Sequence, residues 1–338
     1  MAYQYETLKL DKSMYRNAGV SFSQMLEKAD PSRQYKGTEL EGLDAFQRQL
    51  KRFDIKVKGP DSDCVEKFFH TAESAVLFPE YIARCVHQGM EEADILPYIT
   101  GAVTHIDGLD YRTLTTEQGD HSKVYTVGEG AEIPSTTVRV CSDLVKLHKR
   151  GRMLVASYET IRYQKLDLFS ITLRQIGAGI AKSLAQDACW ALFDGNDGES
   201  PLTIYETRQA NIVTYEDLVD LWLKLAPYEM NTLMVSDDVF AQLMKLPELQ
   251  NPLGANFQTT GKLVTPMGAT LLRLPIEERG TIIALDKRYA LEMVQSGEVS
   301  VEYDKLIDRQ LERAAITVTC GYARMFEKAC AMMLVKRD

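Results

Sequence analysis

LDLFSITLRQIGAGIAKSLAQDACWALFDG, residues 166–195, decides the fold, and it follows LVKLHKRGRMLVASYETI at 144–161 and VYTVGEGAEIPSTTVRV at 124–140. In the first stretch Leu166, Phe169, Leu173, Ile176, Ile180, Leu184, Ala188 and Ala191 step by three and four. That spacing puts them on one face and predicts a helix over 166–193, ended by Gly195. At 1.5 Å per residue the rod is roughly 40 Å long, more than most compact domains need. Upstream, Thr137 to Ser157 reads as one strand, bent at Gly151, far longer than the usual strand of about 5 to 6 residues. Before it, EQGDHSKVYTVGEGAEIPST at 117–136 is polar and glycine-containing between strand patterns. It reads as an extended hairpin with almost nothing of its own to bury.

The first 75 residues lack a sustained core pattern and read as an arm with two short helices, 22–29 and 39–53. In the second, Leu40, Leu43, Phe46, Leu50 and Phe53 form a narrow apolar stripe whose partner is either the body or a neighbouring copy. A helix at 79–89 leads into strands at 96–103 and 109–114. Residues 196–297 alternate helices (214–225, with Thr214 as cap and Asp217 three residues on; 236–246, with Ser236 as cap) with strands (232–235, 271–274, 281–285, 291–295). This is the pattern of a separate α+β lobe. The chain closes with strands at 298–304 and 309–322, the latter alternating Ile316, Val318 and Cys320 against Thr317 and Thr319, and an apolar run at 325–335. Strands from the middle and the end are expected to pair around the long helix.

The whole is 338 residues with 45% hydrophobic and 26% charged residues, the balance of a globular α+β protein of two or three lobes. No apolar stretch approaches the roughly 20 residues that span a bilayer, and no signal-peptide pattern opens the chain, so synthesis in a cytoplasm and no membrane partner are expected. The net charge of -9 argues against tight nucleic-acid binding, which depends on neutralising phosphates, and leaves only weak, non-specific contact with a confined polyanion. Residues 1–60 hold 11 Lys/Arg against 8 Asp/Glu, a mild basic excess.

Catalytic signatures are missing. GANFQTTGKL at 254–263 is two residues too long for a phosphate loop and has Leu263 where a magnesium-binding hydroxyl must stand. Gly128 and Gly130 lack the third glycine of a dinucleotide fingerprint. The six cysteines form no CxxC pair and read as small buried hydrophobes. Cys141 with His148 is the one thiol pair that an enzyme could use. Asp194, Asn196 and Asp197 suit a cation or, better, a turn after the helix. No metal, cofactor or catalytic residue is assigned, and the chain is read as a structural protein rather than an enzyme. An arm, a coreless hairpin, an overlong helix and long strands each need a partner surface, and other copies of the chain supply it most simply.

That order of parts resembles the major capsid proteins of tailed bacteriophages, the Hong Kong 97-type fold, shared with encapsulin compartments. The three stretches quoted above look like the family's extended loop, returning strand and spine helix, with the Gly-Glu-Gly and Ile-Pro signature at Gly128 to Pro134. The resemblance implies an N-terminal arm at 1–75, a peripheral domain begun at 76–116, an extended loop at 117–140, and the peripheral domain with its spine helix at 141–195. It further implies an axial domain at 196–297 and closing strands at 298–338. It implies subunits in pentamers and hexamers of an icosahedral head around double-stranded DNA, built with a separate scaffolding protein and a portal and residing in the virion. Contacts between subunits fall to loop residues Lys123, Gly128, Glu129, Gly130, Glu132, Ile133 and Pro134, to the charged strand residues Lys146, Lys149, Arg150 and Arg152, and to the arm stripe. Lys123 has no acceptor asparagine after Asn256, so no covalent crosslink is expected. An encapsulin-like compartment and a thiol-dependent enzyme are the alternatives.

Overall fold

In the computed structural model of this protein the structure describes residues 4–15, 20–116, 126–130, 138–141, 144–195, 201–250, 264–265, 267–297 and 299–337. The helices are α1 (Gln4–Thr7), α2 (Phe22–Ala29), α3 (Ala45–Arg52), α4 (Ala72–Ala75), α5 (Leu77–Ala93), α6 (Tyr158–Tyr163), α7 (Leu166–Asp194), α8 (Tyr215–Lys224), α9 (Asp237–Leu243) and α10 (Pro247–Gln250). The strands are β1 (Thr100–Ile106), β2 (Leu114–Thr116), β3 (Val138–Val140), β4 (Leu147–Ser157), β5 (Ile204–Glu206) and β6 (Thr232–Val235). They continue as β7 (Thr270–Arg273), β8 (Thr281–Leu285), β9 (Leu291–Ser296), β10 (Ser300–Leu306), β11 (Leu311–Arg324) and β12 (Cys330–Leu334). The chain divides into two compact units, Met1–Ala93 with Lys149–Ala181 and Gly297–Val318, and Asp94–His148 with Lys182–Ser296 and Thr319–Asp338. Helix α7 and strand β11 run from one into the other.

The expected stripe of α7 is buried at Leu166, Phe169, Leu173, Ile176, Ile180, Leu184 and Ala188, and Gly195 ends the helix at φ 78°. In the first unit α7 crosses α5 so closely that backbones touch. A Cβ on Gly177 would meet the Val86 carbonyl oxygen at 2.0 Å, and one on Gly89 would meet that of Arg174 at 2.1 Å. Tyr81 of α5 donates to the Leu166 carbonyl at 2.7 Å. Phe68, Phe78, Phe169 and Tyr303 complete an aromatic core with ring centroids 5.5–6.2 Å apart, a spacing at which edge-to-face and offset contacts are favourable. Here β10 pairs antiparallel with the first half of β11, Ser300 opposite Thr317 through Leu306 opposite Leu311, and β4 also pairs with β11.

Residues 22–55 correct the expectation of an arm without a core. Helix α2 begins in a capping box between Ser21 and Gln24, and α3 in another between Asp44 and Gln47. Between them Arg48 is wholly buried. Its Nε donates to Asp30 Oδ2 at 2.6 Å, Nη2 to the Asp30 carbonyl at 2.6 Å, and Nη1 to the Leu43 carbonyl at 2.6 Å and Ser32 Oγ at 3.0 Å. The guanidinium lies 4.3 Å over the Tyr35 ring, whose hydroxyl donates to Asp30 Oδ1 at 2.5 Å. Leu40, Phe46 and Leu50 are buried within the chain, Leu43 packs on the cluster of Tyr5, Tyr35 and Leu40, and Phe53 is half-buried. The helix that holds the stripe is shorter than expected, starting only at Ala45 because Asp44 caps it.

In the second unit a sheet of order β5-β12-β8-β6-β7 is covered by α8 and α9. Leu218, Leu221 and Leu225 pack with Val239 and Leu243 onto Leu233, Val235, Ile282 and Ala284. Strands β6 and β8 are buried at every residue, as continuous apolar runs require. Thr214 and Asp217 form the expected capping box of α8. Ser236 takes the cap position of α9, but its hydroxyl accepts the Thr281 N–H at 3.1 Å instead of capping. Strand β12, from the end of the chain, lies between β5 and β8. A second ladder joins β1 parallel to β9 and β9 antiparallel to the latter half of β11.

Three expected strands differ. Residues 96–98 make a 3-10 turn before β1, as Pro97 has no N–H for a ladder. Of 109–114 only Leu114 joins a strand, β2. The strand expected over 137–157 divides into β3 and β4 because its two ends join different ladders, β3 with β2 and β4 with β11, while Val145 between them is drawn into a cluster with Val294 and Ala323. Gly151 is not a bend: a Cβ there would meet the Ile316 carbonyl oxygen at 2.6 Å, so it lets β4 lie close on β11.

Candidate assembly surfaces

Strand β4 has the sequence of a half-buried strand and the exposure of a free one. Along LHKRGRMLVAS most side chains from His148 to Val155 are exposed on both faces. His148, Arg150 and Arg152 point one way, and Lys149, Met153 and Val155 the other, with Met153 at 53% and Val155 at 50% exposure. Its one strand partner among the described residues is β11. An edge strand of this length, with charge on it and aliphatic surface beside the charge, keeps itself from indiscriminate pairing while holding backbone groups and apolar area for a specific partner. Lys149, Arg150 and Arg152 stand on β4 and Lys146 just before it, all four exposed.

The hairpin is seen at its root. Leu114, Thr115 and Thr116 of β2 pair antiparallel with Val140, Arg139 and Val138 of β3. The ribbon continues through Cys141 N–H to the Thr113 carbonyl at 2.8 Å and Val145 N–H to the Tyr111 carbonyl at 2.9 Å. Leu114 and Val140, directly opposed, are 59% and 60% exposed, so the ribbon offers an aliphatic pair to solvent. Gly128, Glu129 and Gly130 are exposed, with Gly130 at φ 78°. Lys123, Glu132, Ile133 and Pro134 lie outside the described residues, as do the 254–263 loop and two of the three turn residues, Asn196 and Asp197.

Two apolar surfaces escaped the sequence reading. At the start of α7, Leu168 and Ile171 are more than half exposed, and so is Tyr163 of α6. The signal was present: Leu168 and Ile171 are three apart and off the stripe of Leu166, Phe169 and Leu173. In the other unit Trp222 and Leu223 of α8 stand about half exposed beside Pro227 and Tyr228.

Four of the thiols are shifted away from reactivity. Burial pushes the Cys189, Cys320 and Cys330 thiols up to about 12, and that of Cys85 to about 11, the opposite of what a thiolate nucleophile needs. All six cysteines are free. Cys141 follows β3, and His148 is an exposed residue of β4. Among the described residues no cluster of three or more His, Cys, Asp or Glu could hold a metal, and no helix is long and apolar enough to cross a membrane.

Comparison with known proteins gives the surfaces a context. The model of the phage capsid protein family matches residues 142–305, from the end of the hairpin through β10. No curated protein matches the sequence. Among solved structures the chain is similar to the virus-like particle from Pyrococcus furiosus, at 13% identity over 75% of this chain and 98% of that one, with a TM-score of 0.51. It is similar to the capsid of the native GTA particle at 14% identity over 71% and 89%, TM-score 0.52. For Microbacterium phage Oxtober96 the values are 10% over 73% and 91%, TM-score 0.51. Residues 142–305 therefore carry the sequence pattern of the phage capsid protein family, on the Hong Kong 97-type α+β fold of shell-forming subunits.

Proposed function

We propose that this chain is the major capsid protein of a tailed phage, a structural subunit that closes pentamers and hexamers into the icosahedral head around a double-stranded DNA genome. The observation that carries the reading is β4 within the family-matched region: an 11-residue strand exposed on both faces. Such a strand is poorly satisfied in one copy and well satisfied between copies. Repeated heterologous contacts of one kind close into rings, and rings tile a shell. The domain division set out from the sequence serves this reading, with β12 completing the sheet of the axial domain. Lys149, Arg150 and Arg152 meet acidic groups of a neighbour, Leu114 and Val140 seat the hairpin against it, and Trp222 and Leu223 face other axial domains at the capsomer centre. A separate scaffolding protein and a portal complete assembly, DNA is contacted weakly, and the protein resides in the virion after synthesis in the host cytoplasm. The family match favours a genome-holding head over an encapsulin-like compartment.

Electron microscopy of the purified protein, alone and with a co-expressed scaffold, tests the proposal. Closed particles are expected; a monomer under every condition refutes it. Deleting Gly128 to Pro134 should leave a folded, soluble subunit that forms no shells, and normal shells from the deletion would refute the role given to the loop.

A further inference from the structure

Glu292, on β9, is 6% exposed, and no cation pairs with it among the described residues. Its carboxylate accepts three hydroxyls instead: Thr104 at 2.6 Å and Tyr111 at 2.7 Å on Oε1, and Thr113 at 2.5 Å on Oε2. Thr104 belongs to β1, the neighbour of β9. Tyr111 and Thr113 belong to the segment that leaves the sheet for the hairpin, and their carbonyls accept the N–H groups of Val145 and Cys141 on the returning leg. Both legs are therefore tied to one buried carboxylate. Below them Val145 packs with Val294 and Ala323, and Ile106, Tyr111 and Leu147 close the cluster.

A buried carboxylate without a cation is costly where only filling is needed, since a leucine would occupy the same volume without losing hydration. Directional hydrogen bonds are what it offers in return. Three short bonds to two oxygens leave the outgoing segment little freedom to swing or slide, and such a network specifies one arrangement more sharply than apolar contact does. We infer that Glu292 is a positioning residue for the hairpin, fixing the direction in which the chain leaves the sheet near Thr113 and so the place on a neighbouring copy that the loop reaches. The inference rests on the assembly role proposed for the loop.

The test uses the full chain as wild type, Glu292→Leu, Glu292→Gln and Thr113→Val, with hydrogen exchange of the unassembled subunit and electron microscopy of assembled particles. Glu292→Leu is expected to speed exchange about tenfold in 107–116 and 138–147, leave α8 and β6 protected, and lose most closed particles. Glu292→Gln, which keeps one acceptor oxygen and can donate to a threonine hydroxyl, should restore both properties; a purely space-filling role would favour the leucine. Unchanged exchange at the root in Glu292→Leu overturns the inference, and so does a loosened root with normal particles. Should the leucine variant fail to fold, Thr113→Val removes one hydroxyl without changing shape and decides by the same two readouts. Absence of particles from the wild type would refute the capsid reading, while the exchange comparison still judges the clamp.

Discussion

Residues 22–55 and strand β4 both carry arginines among apolar residues, and both were expected to depend on other copies, yet they meet opposite ends. In the first, Arg48 is sealed against Asp30, Ser32, Tyr35 and the Leu43 carbonyl, and Arg52 reaches the Leu8 carbonyl and Glu73. On β4, Lys149, Arg150 and Arg152 stand in solvent. The difference is in the acceptors nearby. Asp30 and the carbonyls between α2 and α3 let a short segment satisfy a guanidinium within itself, so the segment is complete before assembly. The basic residues of β4 lie along an edge strand whose side chains are mostly exposed, so that they remain within reach of another molecule.

The contrast can be broken most forcefully at its closed end. Arg48→Ala leaves Asp30 buried without its cation and should cost about 3–5 kcal/mol in urea unfolding of the unassembled subunit. A loss under about 1 kcal/mol would show that the segment opens to water and is not complete in itself. On the other side, Gly151→Val forces a side chain into the Ile316 carbonyl and should cost about 1–3 kcal/mol, read as a lower thermal midpoint, with β4 losing exchange protection first. Equal protection of β4 in the variant would mean that β11 does not hold it.

A third buried anion sharpens the same point in the other unit. Burial alone would raise the Asp286 carboxyl, but hydrogen bonds from the Arg288 side chain, the Glu229 N–H, the Asn231 amide and the Arg288 N–H hold it down at about 2. Because its folded value lies below the ordinary 3.8, the ionised group stabilises the fold above about pH 4 and that contribution fades as pH falls through about 2. Asp286→Asn should cost about 1–3 kcal/mol at neutral pH and flatten the acid limb of a stability–pH curve between those values. An identical acid limb would contradict it. The smallest effect on the subunit is expected where the largest effect on assembly is: Lys149→Glu with Arg152→Glu should change unfolding by no more than about 0.5 kcal/mol and still prevent particles from forming. Normal particles would remove the charged strand from the interface.

How far the sequence led depended on the kind of force involved. Helix α7 was legible because burial imposed an unbroken three-and-four spacing over its length, and β6, β8 and β11 because their apolar residues alternate or run together. The closure of the N-terminal segment was not: the stripe from Leu40 to Phe53 shows an apolar face, but the buried network of Arg48, Asp30 and Tyr35 that seals it is polar and carries no period. Strand order is equally silent in a local pattern: nothing in CAMML announces that β12 enters between β5 and β8, a choice made by edges formed elsewhere in the chain. Of the candidate assembly surfaces, the exposed cations of β4 could be named from their order alone. The opposed pair Leu114 and Val140 could not, as it exists only once the hairpin register is set.

The place of β12 has a consequence for how the protein is made. Its partner β5 precedes it by 128 residues, Ile204 standing opposite Met332, and contacts so distant along a chain form late. While the polypeptide is being synthesised, β5 and β8 must wait with a gap between them, their edges open to any passing strand. The chain is most open to mispairing in that interval, before β12 arrives to fill the gap.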